Sequence, residues 1–155
     1  MTKPRITDKD RGAKALLDRL GGGSRLLAVG VLEGDATHPN SDLTINEIAE
    51  IHEYGSDAAG IPERSFIRAF VDENEARINK ALKRIADMTA KGSLKSVDQG
   101  LDRLGLTLVG GIQDRIRNGI APELQDATAA RKGSSVPLID TSALLTSITH
   151  EVEET

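Results

Sequence analysis

The sequence predicts an α+β domain, and three observations carry that expectation. Apolar residues recur at helical spacing in several segments bounded by capping residues or glycines. Two short segments, Arg25–Glu33 and Ser147–Glu153, have the aliphatic or alternating character of strands. Two polar, turn-rich stretches, 33–43 and 120–140, read as long loops. At 155 residues the chain is a single domain, 1–155, long enough to bury a core without staples.

Composition narrows the function classes. The chain has no cysteine, which removes disulfides, thiolate metal sites and thiol redox chemistry. Its longest apolar run, Leu26 to Leu32, is far short of a membrane span, and no signal-peptide pattern precedes it, so no membrane partner is expected. A formal charge of -4 argues against general attraction to nucleic-acid backbones. The charge is uneven: Arg64, Arg68, Arg77, Lys80, Lys83, Arg84, Lys91 and Lys95 make the middle basic, and Glu151, Glu153 and Glu154 make the C-terminal end acidic. That asymmetry suits head-to-tail contact between copies as well as ordinary solvated faces. The aromatic residues are Tyr54, Phe66 and Phe70, too few for base-stacking platforms and all within one stretch, Ile48–Phe70.

In chain order, residues 1–7 carry Pro4 and no periodicity and read as a flexible N-terminal arm, with 8–155 as the folded part. From Asp8 to Leu20, Ala13, Leu16, Leu17 and Leu20 predict an amphipathic helix that stops at Gly21-Gly22-Gly23. Arg25–Glu33 predicts a strand with Leu27, Val29 and Val31 on one face. Thr44-Ile45-Asn46-Glu47 is a capping box, so a helix begins there. Ile45, Ile48, Ala49 and Ile51 or His52 form its buried stripe, and Gly55 ends it with a left-handed residue. Pro62 and Glu63 suit the first turn of a long helix to about Lys91, with Phe66, Ile67, Phe70, Val71, Ile78, Leu82, Ile85 and Met88 inward and Asp72–Glu75 a point of bending or interruption.

Ser96-Val97-Asp98-Gln99 opens a further helix to Asn118-Gly119, with Leu101, Leu104, Leu108, Ile112 and Ile116 on one face. Gly100, Gly105, Gly110 and Gly111 oppose that helix and predict close approach of another backbone, either a facing helix or the sheet. Thr141 caps a single turn that turns Leu144 and Leu145 inward, and Ser147–Glu153 alternates as a closing edge strand whose charges discourage unwanted pairing.

No catalytic constellation is legible, and the chain is expected not to be an enzyme and to need no cofactor or metal. His52-Glu53 fails the zinc-protease pattern because Ser56 stands where the second histidine belongs, and His38 and His150 have no recognisable ligand or triad neighbours.

The order of landmarks adds a resemblance. Ile51-His52-Glu53-Tyr54-Gly55 is followed by Ile61-Pro62-Glu63-Arg64-Ser65-Phe66-Ile67, a long helix, and a glycine-bearing helix ending Ile116-Arg117-Asn118-Gly119. Lys132-Gly133, Pro137-Leu138-Ile139-Asp140-Thr141-Ser142-Ala143-Leu144 and Ser147-Ile148-Thr149 complete the series. Over roughly residues 25–153 the chain resembles the small tail-completion and virion-morphogenesis proteins of long-tailed bacteriophages, of head-tail joining, neck or tail-terminator type. It departs from them at Ser142, where glycine usually follows the threonine, and at Ser65, where they often carry proline.

The resemblance implies a small, mainly antiparallel sheet with helices packed on one face. It also implies a structural virion protein at the top of the tail, assembled in the host cytoplasm as a homo-oligomeric, hexameric ring around the DNA path. DNA would pass through the lumen without specific binding, and the neighbours would be other neck and tail-tube proteins. Contacts with neighbours are expected at His52, Glu53, Tyr54, Gly55, Ile61, Pro62, Arg64 and Phe66, and at Lys132, Pro137, Leu138, Asp140 and Thr141. Arg64 suits either a neighbour's carboxylate or its own domain's carbonyls. The alternative reading is a regulatory or toxin-antitoxin-like binding module of a mobile element.

Overall fold

The capping residues and apolar stripes fold into an α+β structure. The computed structural model describes residues 13–20, 24–32, 42–122 and 143–154. The elements run α1 (Ala13–Leu20), β1 (Arg25–Val31), α2 (Ile45–Tyr54), a 3₁₀ turn (Asp57–Ala59), α3 (Arg68–Ala90), α4 (Val97–Arg117), α5 (Ala143–Ser147) and β2 (Ile148–Glu154). The two strands pair antiparallel, from Arg25 opposite Glu154 to Val31 opposite Ile148. The inner face of this ribbon carries Val29, Val31, Ile148 and His150 and lies against α4. The expected N-terminal arm, almost all of loop 33–43 and all but the first residues of loop 120–140 fall outside the described residues.

α2 and α4 start where the sequence places them. The Thr44 side chain accepts from the Glu47 N–H while the Glu47 carboxylate accepts from the Thr44 N–H, which completes the box. Ser96 Oγ accepts from the Gln99 N–H at 3.3 Å. The core gathers Ile45 and Ala49 from α2, Phe66 from the segment before α3, Ile112 and Ile116 from α4, Leu144 from α5 and Ile148 from β2.

Several expectations are corrected. The long helix starts at Arg68, not Pro62, because its first N–H groups are met by a carboxylate from α2 rather than by a local cap. It runs unbroken through Asp72–Glu75, where Asn74 Nδ2 donates to the Phe70 carbonyl at 2.8 Å and Glu73 accepts from Arg115. Val71 and Leu82 are exposed, as is Leu17 of α1, since packing against α3 covers a narrower face than the sequence stripe. Gly55 has the positive φ expected, 76°, but with ψ 175° it sends the chain into an extended path instead of closing a left-handed turn. Ser147 ends α5 rather than opening the strand.

Gly100, Gly105 and Gly111 of α4 do meet the facing helix α3 and the sheet strand β2, but through side chains rather than backbone. A Cβ at Gly100 would lie 2.5 Å from Ile85 Cγ2, one at Gly105 would lie 2.5 Å from His150 Cγ, and one at Gly111 would lie 2.7 Å from Phe70 Cε2. At Gly110 a Cβ meets nothing within 4 Å. Two opposite results are therefore expected in urea unfolding. Gly110→Ala should stabilise by about 0.5–1 kcal/mol, the helix-propensity gain. Gly105→Ala should destabilise by about 1–3 kcal/mol, because the His150 ring, held by Asp102 Oδ1 at 3.0 Å, must move. Equal effects at the two positions would contradict the slot geometry.

Candidate functional site

The residues between Ile48 and Phe70 form a lock between α2 and α3. In α2 the buried positions are Ile45, Ala49 and Glu53, spaced by one helical turn each, so a carboxylate occupies the inner end of an apolar stripe. Glu53 Oε1 accepts from Ser65 Oγ at 2.6 Å and from the Arg68 N–H at 2.9 Å, and Oε2 accepts from the N–H groups of Phe66 at 2.9 Å and Ile67 at 3.0 Å. These backbone donors belong to the start of α3, where the helix leaves N–H groups unsatisfied and the macrodipole favours negative charge. Ser65 Oγ in turn accepts from the Ala69 N–H at 3.0 Å.

The lock is reciprocal. The Arg64 N–H donates to the His52 carbonyl at 2.8 Å, so the C-terminal end of α2 is satisfied by the strand of chain that leads into α3. Between these anchors, Ser56 and Ile61 exchange backbone hydrogen bonds of 2.8 and 2.9 Å around the 3₁₀ turn, and Gly60 (φ 63°) closes it. Gly55 is enclosed: a Cβ there would lie 2.8 Å from the Glu63 nitrogen, which together with its φ explains the glycine. The loop 55–63 is thus held rigidly at its base while Asp57, Ala58, Ala59 and Gly60 stand exposed.

Arg64 Nε donates to the Pro122 carbonyl at 2.9 Å and the residue is buried, so its guanidinium serves its own domain rather than an exposed contact. Glu53 and Phe66 are buried as well, the latter completely. Of the other expected contact residues, His52, Gly55 and Ile61 are half-buried, and Tyr54 and Pro62 are exposed. Tyr54 is 63% exposed, and the Arg68 guanidinium lies 5.2 Å from its ring centroid while pairing with Glu63. Tyr54, Pro62 and the Asp57–Gly60 tip therefore make the accessible part of the site. Lys132, Pro137, Leu138, Asp140 and Thr141 lie outside the described residues.

Arg115, which no local motif in the sequence marks, braces the lock from α4. Its Nη1 donates to Glu73 at 2.6 Å and its Nε to the Ser65 carbonyl at 3.3 Å. Among the described residues, no group of three or more histidine or acidic side chains is placed to hold a metal ion, and no helix is long and apolar enough to cross a membrane.

Burial pushes the Glu53 carboxyl up, but the hydrogen bonds from Ser65, Ile67, Arg68 and Phe66 together outweigh it and hold the group below its ordinary value. A carboxyl depressed by folding contributes stability that is present above its unfolded value, about 4.3, and is lost as pH falls through the folded one. Unfolding free energy should therefore drop as pH is lowered below about 4.5, and Glu53→Gln should flatten that dependence. An unchanged acid limb in Glu53→Gln would assign the loss to other carboxyls, such as Glu47, which is also held low by its bonds to Thr44.

Comparison with known proteins finds no matching family model, no matching curated protein and no matching solved structure.

Proposed function

We propose that this chain is a structural protein of a bacteriophage virion that acts at the top of the tail, in tail completion and head-tail joining, by forming a homo-oligomeric ring around the DNA path. The observation that carries the reading is the locked α2–α3 junction. It lies on the Ile51–Gly55 and Ile61–Ile67 segments that support the resemblance, and it spends a buried carboxylate and a buried arginine on holding a short exposed loop in place. A loop anchored in this way can meet a neighbouring subunit without an ordering cost at the moment of contact, which suits a scaffold built from repeated copies.

The test is genetic and visual. Deleting the gene from the phage that carries it should leave DNA-filled heads and free tails side by side in negative-stain images, and the wild-type gene supplied in trans should restore joined particles. Tyr54→Ser combined with Pro62→Asp, at exposed positions that leave the lock intact, should restore them poorly. Joined, infectious particles in the absence of the gene would overturn the proposal.

A further inference from the structure

We propose that copies of this chain associate head to tail, the groove between α3 and α4 of one copy receiving the outer face of the β1–β2 ribbon of the next; this deepens the ring reading above and rests on it. The groove follows from the glycine slots. α3 and α4 meet where the Phe70 ring covers Gly111 and again where Ile85 covers Gly100. Between these two contacts Ile78 and Ala81 stay apart from Leu104 and Leu108 across a groove of about 450 Å³. On its α4 side Leu106 is 60% exposed, and the carboxylate in the lining, Asp114, is paired with Arg117 at 2.8 Å.

The α3 side of this groove is basic. Arg77 lines it, and Lys80 and Arg84, beyond the lining, extend the Arg77 stripe along α3 at i+3 and i+7. All of these are exposed. Arg77 reaches the Asn74 side chain at 3.0 Å, and none of them pairs with a carboxylate among the described residues.

The ribbon carries the complementary surface. On its outer face Leu26 stands opposite Glu153 and Ala28 opposite Glu151, so an apolar strip on β1 is bordered by carboxylates on β2. Leu26 is 49% exposed, and Glu151 and Glu153 are exposed with no cation partner among the described residues. An apolar centre with an acidic border thus matches an apolar groove with a basic border. Because the two surfaces differ and belong to the same chain, their contact is heterologous and propagates from copy to copy until it closes as a ring or runs on as a filament. A nucleic-acid backbone fits less well. It would use the cations and leave the apolar groove empty, and the chain's net charge of -4 opposes it at a distance.

The experiment is sedimentation velocity on purified full-length protein, with paired charge reversals. Wild type should associate with rising concentration and dissociate with added salt. Lys80→Glu with Arg84→Glu makes both surfaces acidic, and Glu151→Lys with Glu153→Lys makes both basic. Each variant alone should stay monomeric, its association weakened by about two orders of magnitude or more, with circular dichroism unchanged. Mixed in equal amounts they should assemble again, because each surface of one variant then finds its opposite on the other.

A wild type that stays monomeric overturns the proposal, including the case in which it instead binds duplex DNA. So does either variant assembling alone, or a mixture that stays monomeric. Restored assembly alongside joined infectious particles in the gene deletion would remove the head-tail reading and leave the interface standing. A monomeric wild type alongside unjoined heads and tails would remove the interface alone.

Discussion

Phe66→Ala is expected to cost about 3–5 kcal/mol in urea unfolding, the range for truncating a fully buried phenylalanine. The ring is completely enclosed, and its cluster draws Ile45 and Ala49 from α2, Ile112 and Ile116 from α4, Leu144 from α5 and Ile148 from β2. Removing it takes away the largest fully buried side chain among the described residues, so the cavity cannot be closed by moving a single neighbour. The backbone on both sides is pinned as well, by the Phe66 and Ile67 N–H bonds to Glu53. That restraint limits relaxation and places the expected loss toward the upper part of the range. A loss below about 1 kcal/mol would mean that the cluster collapses around the gap and that the lock, not the ring, fixes the junction.

Much of the fold is legible in the sequence, and the reasons are local. Thr44 with Glu47 and Ser96 with Gln99 announce their helices because a cap and its donors lie within one turn. Of the expected α4 stripe, Leu101, Leu104, Ile112 and Ile116 are buried and Leu108 is half-buried, and the two strand-like segments pair with each other. The start of α3 is not legible from local rules. Pro62 and Glu63 imitate a first turn, whereas the group that satisfies the real first turn, Glu53, belongs to the preceding helix.

A faint signal for it exists. Glu53 continues the Ile45–Ala49 spacing, so a carboxylate at that point must either be buried with partners or break the stripe. The α4 glycines show the same limit from another side. Their number implies close approach, but only the fold shows that Ile85, His150 and Phe70 fill the slots, since those residues come from elements on either side of α4 in the sequence. Within Ile48–Phe70 burial divides the expected contact residues: Glu53, Arg64 and Phe66 are buried and hold the structure, while Tyr54, Pro62 and the loop tip are exposed.

Glu53→Ala is expected to destabilise the protein by about 3–5 kcal/mol, through lost hydrogen bonds rather than lost apolar area. The carboxylate accepts from Ser65 Oγ and from the N–H groups of Phe66, Ile67 and Arg68. The Phe66 N–H is the costliest to abandon because its residue is completely buried and water cannot replace the acceptor. The Arg68 N–H, on an exposed residue, recovers part of its loss from solvent, which keeps the total below the sum of separate penalties. Glu53→Gln should fall between wild type and alanine, since one amide oxygen can still accept while the NH₂ group faces donors. In hydrogen exchange, both variants should lose protection first at Phe66, Ile67 and Arg68, where the chain enters α3, before the centre of α4 is affected. If protection fell evenly over the whole chain in Glu53→Ala, or if its stability matched wild type at neutral pH, the carboxylate would not be the cap that positions α3.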